Sequence, residues 1–295
     1  MKKFFTAVLL VIICFVCSAS GVFEQVPADS SVICRIDIGA VLVRPEVNKM
    51  LNTRESLETQ LEFAKKAGCS ISDITEAVIA IWGDNRTAVL LKLNKNVDVD
   101  AAVKKFQAAD KKLAGKAAYY AINSGAVSQI AGDVVVFASP EDMTAFLASA
   151  KGLPAQLKQL SAGFDAPKAP IAWMVFGGKG IKFSGSASYN FAGKNGLDHV
   201  ISADIVFRKE KEAQQFAALA PMYSGMFSGM LFGADPNLGA EVVKNFRVSD
   251  FGKTVRLSIY LPAALVDRIT AYAQVQGPKQ LKQIEPSTLP ATTKE

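Results

Sequence analysis

The histidine content of the chain restricts the chemistry that it can perform. Its 295 residues include one histidine, His199. A serine hydrolase triad needs a histidine as its base, and a zinc site usually needs several imidazole or thiolate ligands. His199 alternates with Leu197 and Ile201 on one side of a predicted strand, which is typical of a histidine packed and hydrogen-bonded in a core. The sequence therefore predicts no catalytic residue, no metal ligand and no cofactor-binding residue.

Paired carboxylates could hydrolyse a substrate without a histidine. Such chemistry needs two acids whose surroundings separate their pKa values. Asp198 and Asp204 share one face of the same predicted strand, on the side opposite His199, and they are typical of solvated charges on a strand face. A hydrolase that uses paired carboxylates in a cleft between two domains stays open as an alternative function.

Three short motifs resemble nucleotide-binding sequences. Gly252-Lys253-Thr254 resembles the end of a Walker loop, although Arg247 occupies the position of the required first glycine. Asp250-Phe251-Gly252 matches a kinase magnesium triplet, but no other kinase motif is present. Residues 176–180 are rich in glycine and could hold an anion with backbone amides, yet no phosphate-binding fingerprint follows them. We expect turns or connecting segments at all three places.

The chain has four cysteines, which fall into two pairs. Cys14 and Cys17 have the spacing of a redox or zinc-binding pair, but they lie in an N-terminal segment that we expect to be removed. Cys34 and Cys69 would then remain, in a compartment that permits disulfides. They form a candidate disulfide, worth about 3 kcal/mol in the loop-entropy model. Cys34 alternatively fits a small core side chain, because it shares a strand face with Ile36.

Residues 1–20 have the pattern of a secretory signal peptide. Lys2 and Lys3 give a positive start, residues 7–16 are apolar, and residues 18–20 are small. The apolar stretch is too short for a spanning helix, which needs about 20 residues. The triplets before Cys14 and Cys17 do not end in the small residue that lipoprotein processing usually requires.

We therefore expect ordinary cleavage after Ala19 or Ser20 and a periplasmic or secreted protein. The formal net charge of +6 falls to +4 without Lys2 and Lys3. No cluster of Lys and Arg resembles a phosphate-binding face, so we expect no nucleic acid partner.

Residues 21–151 are predicted to form a first α+β domain. We expect strands at 31–38, 76–82, 87–93, 117–122 and 133–138, and helices from Pro45 to about Gly68, at 98–112, and from Pro140 with Ser139 as its cap. The turn between the second and third strands contains Asn85, where a glycosylation sequon begins.

Residues 169–276 are predicted to form a second domain after a junction at 152–168. We expect strands at 181–191 and 197–207 joined by Asn195-Gly196, then helices near Lys209 and Asp235, a hairpin at 246–249 and 254–261, and a last helix from Pro262 to about Gln274. Residues 277–295 are predicted to be a disordered tail.

Both domains follow the order hairpin, helix, hairpin, helix, and both place a phenylalanine late in the first helix, at Phe106 and Phe216. This order predicts an internal duplication. Each half is expected to be an antiparallel sheet with helices packed on one face. Whether the two sheets join is left open by the sequence.

Residues 213–234 carry no charge and include Gly225, Gly229 and Gly233 at four-residue spacing. Three alternatives fit this segment: a buried or groove-lining helix, a surface that binds a partner, and a segment that contacts a membrane. Under the second alternative the binding side chains would be Met222, Tyr223, Met226, Phe227, Met230 and Phe232.

The sequence thus favours an extracytoplasmic binding or structural protein without catalysis. A membrane-associated protein that uses residues 213–234 is one alternative, and the carboxylate hydrolase is the other. The partner and the oligomeric state do not follow from the sequence.

Overall fold

The computed structural model describes residues 22–43, 71–104, 110–115, 117–122, 125–164, 170–178, 183–192 and 197–282. The predicted signal peptide, the helix predicted from Pro45, Cys69, Phe106 and the Asn195-Gly196 turn lie outside the described residues. The Cys34–Cys69 disulfide therefore stays a prediction.

Within the described residues, twelve strands form one antiparallel sheet, in the order β11-β12-β10-β9-β8-β1-β2-β3-β7-β6-β5-β4. The strands are β1 Ser30–Asp37, β2 Ile74–Trp82, β3 Arg86–Leu93, β4 Asp110–Ala114, β5 Ala117–Ile122, β6 Gly125–Ala131, β7 Val134–Ala138, β8 Ala172–Phe176, β9 Ser184–Ala192, β10 Asp198–Val206, β11 Phe246–Phe251 and β12 Thr254–Leu261. The described residues also form α1 Ile38–Leu42, α2 Val99–Lys104, α3 Pro140–Ala148, α4 Ala155–Ser161, α5 Glu210–Leu231, α6 Pro236–Lys244 and α7 Ala263–Lys282. The predicted α+β class, with a large antiparallel sheet, is confirmed.

Strands β1 and β8 join the two predicted halves into a single sheet. Ile33 lies opposite Val175, and Ile36 lies opposite Ala172. Four consecutive residues of β1, from Ile33 to Ile36, are buried. Since successive side chains of a strand point to opposite faces, both faces of β1 are covered.

Helices therefore pack on both faces of the first half, and the predicted one-sided arrangement is wrong there. On one face Ile33 and Val78 pack with Met143 and Phe146 of α3 and with Leu157 of α4. On the other face Cys34, Ile36 and Ala77 pack with residues of α1. The buried position of Cys34 agrees with its expected role as a small core side chain.

Local signals located several elements correctly. The turn between β2 and β3 has positive φ at Gly83 (51°) and Asn85 (69°), the conformation that glycine and asparagine adopt most readily. Ser139 caps α3 by accepting a hydrogen bond from the Asp142 amide, and Asp235 caps α6 by accepting one from the Leu238 amide.

Other elements differ from the sequence predictions. The helix predicted at 98–112 is confined to Val99–Lys104 among the described residues, and Asp110–Ala114 is the edge strand β4. Its charged residues suit a sheet edge, because charge discourages pairing with another chain. Strands β6 and β8 were missed, and the predicted junction contains α4. Helix α7 includes residues 277–282, which were predicted to belong to the tail.

Candidate functional site

Helix α5 lies at the β11 end of the sheet. Glu210 and Glu212 stand in its first turn, where negative charge interacts favourably with the helix dipole. Pro221 lies inside the helix and cannot donate a backbone hydrogen bond. Ser224 lies one turn after Pro221, and its hydroxyl donates a hydrogen bond of 2.8 Å to the Pro221 carbonyl oxygen.

The inner side of α5 is held against the protein by small residues. Ala213, Ala220 and Ser228 are buried, and the helix packs on β11, β12 and α6. A methyl group added to Gly239 of α6 would lie 2.5 Å from the Ser228 hydroxyl oxygen, so α5 and α6 approach each other closely. This packing fixes the rotation of α5 and hence the side that faces outward.

The outer side of α5 carries large apolar side chains that are exposed. Their exposed fractions run from 37% for Tyr223 to 58% for Met222 and Met230. We call these side chains the α5 methionine surface: Leu219, Met222, Tyr223, Met226, Phe227 and Met230. Their spacing of three and four residues places them on one side of a helix. Residues 213–234 therefore do not form a fully buried helix.

Five of the six side chains predicted for a binding surface belong to the α5 methionine surface. Leu219 was missed. Phe232 was included but is only 9% exposed, so that part of the prediction is wrong. Phe232 follows the last residue of α5, where the backbone has left the helix. Its ring packs against Tyr272 of α7, with centroids 5.5 Å apart, and contributes to a core with Leu238.

Gly225 and Gly229 lie beside the α5 methionine surface and have open space where a side chain would be. A methyl group built on either glycine meets no heavy atom within 4 Å among the described residues beyond its own helical neighbourhood. Glycine inside a helix costs about 1 kcal/mol relative to alanine. Packing within the described part of the chain therefore does not explain these two glycines.

His199 is half-buried and hydrogen-bonded, in agreement with the structural role expected for it. Its Nδ1 lies 2.6 Å from the Tyr189 hydroxyl oxygen, and its ring packs edge-on against Phe191 at 5.1 Å between centroids. No described group of three or more His, Cys, Asp and Glu residues could hold a metal ion.

Asp198 and Asp204 each bind a different partner. Asp198 accepts hydrogen bonds from the Tyr260 hydroxyl and from the Ala263 amide at 3.0 Å. The pKa of Asp198 is lowered, first by the Tyr260 bond and then by the Ala263 amide. Asp204 receives two hydrogen bonds of 2.7 Å from Arg256. Six residues of strand span roughly 20 Å, so the two carboxylates cannot act on one bond.

The turn motifs also have structural explanations. Gly252, with φ of 68°, lies in the turn between β11 and β12, as expected for a turn rather than a phosphate-binding loop. Gly178 has φ of 126°, and the rest of that loop, 179–182, lies outside the described residues. Within the described ranges no helix is both long and apolar enough to span a membrane.

A buried charged cluster was missed by the sequence analysis. Arg35 lies beside the stacked rings of Phe23 and Trp173, with its guanidinium carbon 5.6 Å from each ring centre. Its Nε lies 3.3 Å from a Glu76 carboxylate oxygen, and both side chains are 1% exposed. Arg35 Nη1 and Trp173 Nε1 have no acceptor in the described part of the chain. The signal was Arg35 itself, the one charged residue in the otherwise apolar stretch 32–36 of β1.

No protein-family model matches this chain, and no curated protein matches it either. Solved structures of TP0453 are similar. Its crystal forms III and I each give a TM-score of 0.49 at 9% sequence identity over 86% of this chain, and over 99% and 98% of those chains. Crystal form IV gives 0.44 at 10% identity, covering 84% of this chain and 95% of that one. These values establish no correspondence between functional residues.

Proposed function

We propose that this protein is a non-catalytic binding protein that acts outside the cytoplasm, and that its α5 methionine surface binds a protein partner. The observation that carries the proposal is the exposure of six large apolar side chains beside Gly225 and Gly229. The largest contiguous apolar patch on a monomeric protein is typically a few hundred Å² and is often a site of interaction. Methionine side chains are flexible and polarisable, so they adapt to an apolar partner surface.

A protein partner fits this surface better than a membrane. Helices that lie in a membrane interface combine an apolar face with a polar face rich in Lys and Arg, and often carry Trp. The sequence of α5 contains one cation, Lys211, and no tryptophan. The open positions at Gly225 and Gly229 instead allow another backbone or side chain to approach closely.

The proposal excludes catalysis by Asp198 and Asp204. A general acid of a carboxylate hydrolase needs a raised pKa, whereas the pKa of Asp198 is lowered. Asp204 is neutralised by Arg256. Asp204 therefore stabilises the sheet, and Asp198 stabilises the contact between the sheet and the start of α7. The two carboxylates do not share a reaction site.

The location and the domain organisation are further parts of this proposal. The signal-peptide pattern of residues 1–20 supports a periplasmic or secreted location. The two similar halves, divided at 152–168, are supported by the order of their elements. A signal-sequence fusion to a reporter enzyme that is active only outside the cytoplasm tests the location, and an inactive reporter would contradict it.

Oxidation of methionines by hydrogen peroxide tests the binding surface. In dilute purified protein we expect Met222, Met226 and Met230 to oxidise rapidly, while Met143, which is 0% exposed, stays reduced as an internal control. In the native compartment a bound partner would protect the three surface methionines. Equal oxidation in both settings would contradict the proposal.

Flotation with anionic vesicles tests the membrane alternative. Mature protein that floats with the vesicles would favour a membrane over a protein partner.

A further inference from the structure

We propose that a second copy of this chain covers the α5 methionine surface, forming a two-fold symmetric dimer. The inference rests on the proposed function, because it names the partner of that same surface. In a two-fold dimer the same patch of each copy meets the other, so the patch must be compatible with itself. Three properties of α5 meet this requirement.

The first property is charge. Without Lys2 and Lys3 the mature chain has a formal net charge of +4, so two copies repel each other over most relative orientations. Residues 213–234 contain no Asp, Glu, Lys or Arg. A contact through this part of α5 therefore places no like charges against each other.

The second property is area. Six large side chains of about 200 Å² each, roughly half exposed, offer about 600 Å² per copy. Two copies would bury about 1,200 Å², which is the lower limit for specific protein interfaces. The dimer is therefore expected to dissociate on dilution, with a dissociation constant on the order of micromolar.

The third property is shape. Gly225 and Gly229 leave depressions next to protruding methionine and aromatic side chains, since an added methyl group there contacts nothing nearby among the described residues. The same surface thus supplies both protrusions and depressions. A second copy can fill the depressions of the first and receive its protrusions in return.

Sedimentation of the mature protein, from well below to well above the micromolar range, tests the dimer. We expect a reversible monomer–dimer equilibrium. Met226→Lys should abolish the dimer, because it puts like charges into the contact. Leu113→Lys is the matched control: Leu113 is 72% exposed on β4, at the opposite end of the sheet, and this variant should dimerise like the unmodified chain.

Gly225→Ala provides a second variant whose folding is not in question. Alanine favours the helix, so the variant should melt at a higher temperature, yet its methyl group fills the depression and should weaken dimerisation several-fold. An increase in stability without any loss of dimer would contradict a contact at this glycine.

The failure of this inference can be separated from that of the proposed function. A chain that stays monomeric at all concentrations, while Met226 is still protected in the native compartment, excludes the second copy and leaves another protein as the partner. A monomeric chain with unprotected Met226 contradicts both.

Discussion

Arg35 of β1 and Glu76 of β2 form an ion pair that is shielded from water, with Arg35 Nε 3.3 Å from Glu76 Oε1 and each side chain 1% exposed. In the ladder Arg35 lies opposite Val78, while Glu76 lies opposite Asp37. The pair is therefore diagonal across two strands. It stands beside the stacked rings of Phe23 and Trp173, whose centroids are 5.4 Å apart.

Removing one member of this pair should destabilise the protein strongly. Arg35→Met leaves the Glu76 carboxylate buried without its guanidinium, and we expect a loss of about 3–5 kcal/mol in the free energy of unfolding. The double variant with Glu76→Met should recover most of that loss, because two apolar side chains replace two buried charges. Urea unfolding followed by circular dichroism measures both changes.

The exposed pair of Arg256 and Asp204 is the matched control. Arg256 is 54% and Asp204 32% exposed, so Arg256→Met should cost at most about 1 kcal/mol. An equal loss for Arg35→Met and Arg256→Met would show that burial does not determine the contribution of the Arg35 pair.

Asp198 should make stability depend on acid pH. Its folded-state pKa is lowered by the hydrogen bonds from Tyr260 and the Ala263 amide, so its contribution is complete above the unfolded pKa of about 3.9. It is lost as the pH falls through the lower, folded-state pKa. Asp198→Asn should therefore be less stable than the unmodified chain at neutral pH, and this difference should vanish in acid. A difference that persists unchanged in acid would contradict this assignment.

Lys151 should make the stability of the protein depend on alkaline pH. Burial lowers its pKa from 10.5 to about 8, although its ammonium group donates to the Phe146 carbonyl and to the Ser149 hydroxyl at 3.0 Å. Between these two pH values the unfolded chain holds a proton that the folded chain has released, so stability should rise with pH. Thermal unfolding of Lys151→Met as a function of pH should lack this rise. The same alkaline rise in both proteins would contradict it.

The glycines of α5 should reduce the stability of the monomer. Because a methyl group at Gly225 or Gly229 contacts nothing nearby in the described structure, alanine at each position should stabilise the chain by about 1 kcal/mol. Chemical unfolding at a concentration below the dimer range isolates this effect. A loss of stability would mean that these glycines are needed for packing within the folded monomer.

A turn and a helix cap that depend on neighbouring residues were predicted from the sequence, while the central strand β8, which depends on distant pairing, was not. The turn at Asn85 and the cap at Ser139 follow from the residues themselves. Strand β8 is stabilised by pairing with β1, more than 130 residues earlier, and nothing in its local pattern distinguishes a central strand.

The candidate site shows the same division. The absence of charge in residues 213–234 and the methionine and aromatic residues there predicted five members of the α5 methionine surface. The direction in which these side chains face depends on packing between α5 and α6. Phe232 has the same residue type as Phe227, yet it turns toward α7 because the helix ends at Leu231. Leu219 lies one turn before Met222 and Tyr223, but it is neither a methionine nor an aromatic residue, the two types by which the binding surface was predicted.

The oxidation rate of Met226 in the native compartment, relative to its rate in dilute purified protein, tests the central claim most directly. Met226 is 56% exposed and lies in the middle of the α5 methionine surface. A covered surface predicts a rate many-fold lower in the native compartment, with Met143 unreactive in both. Equal rates for Met226 in the two settings would show that this surface binds nothing and would contradict the account.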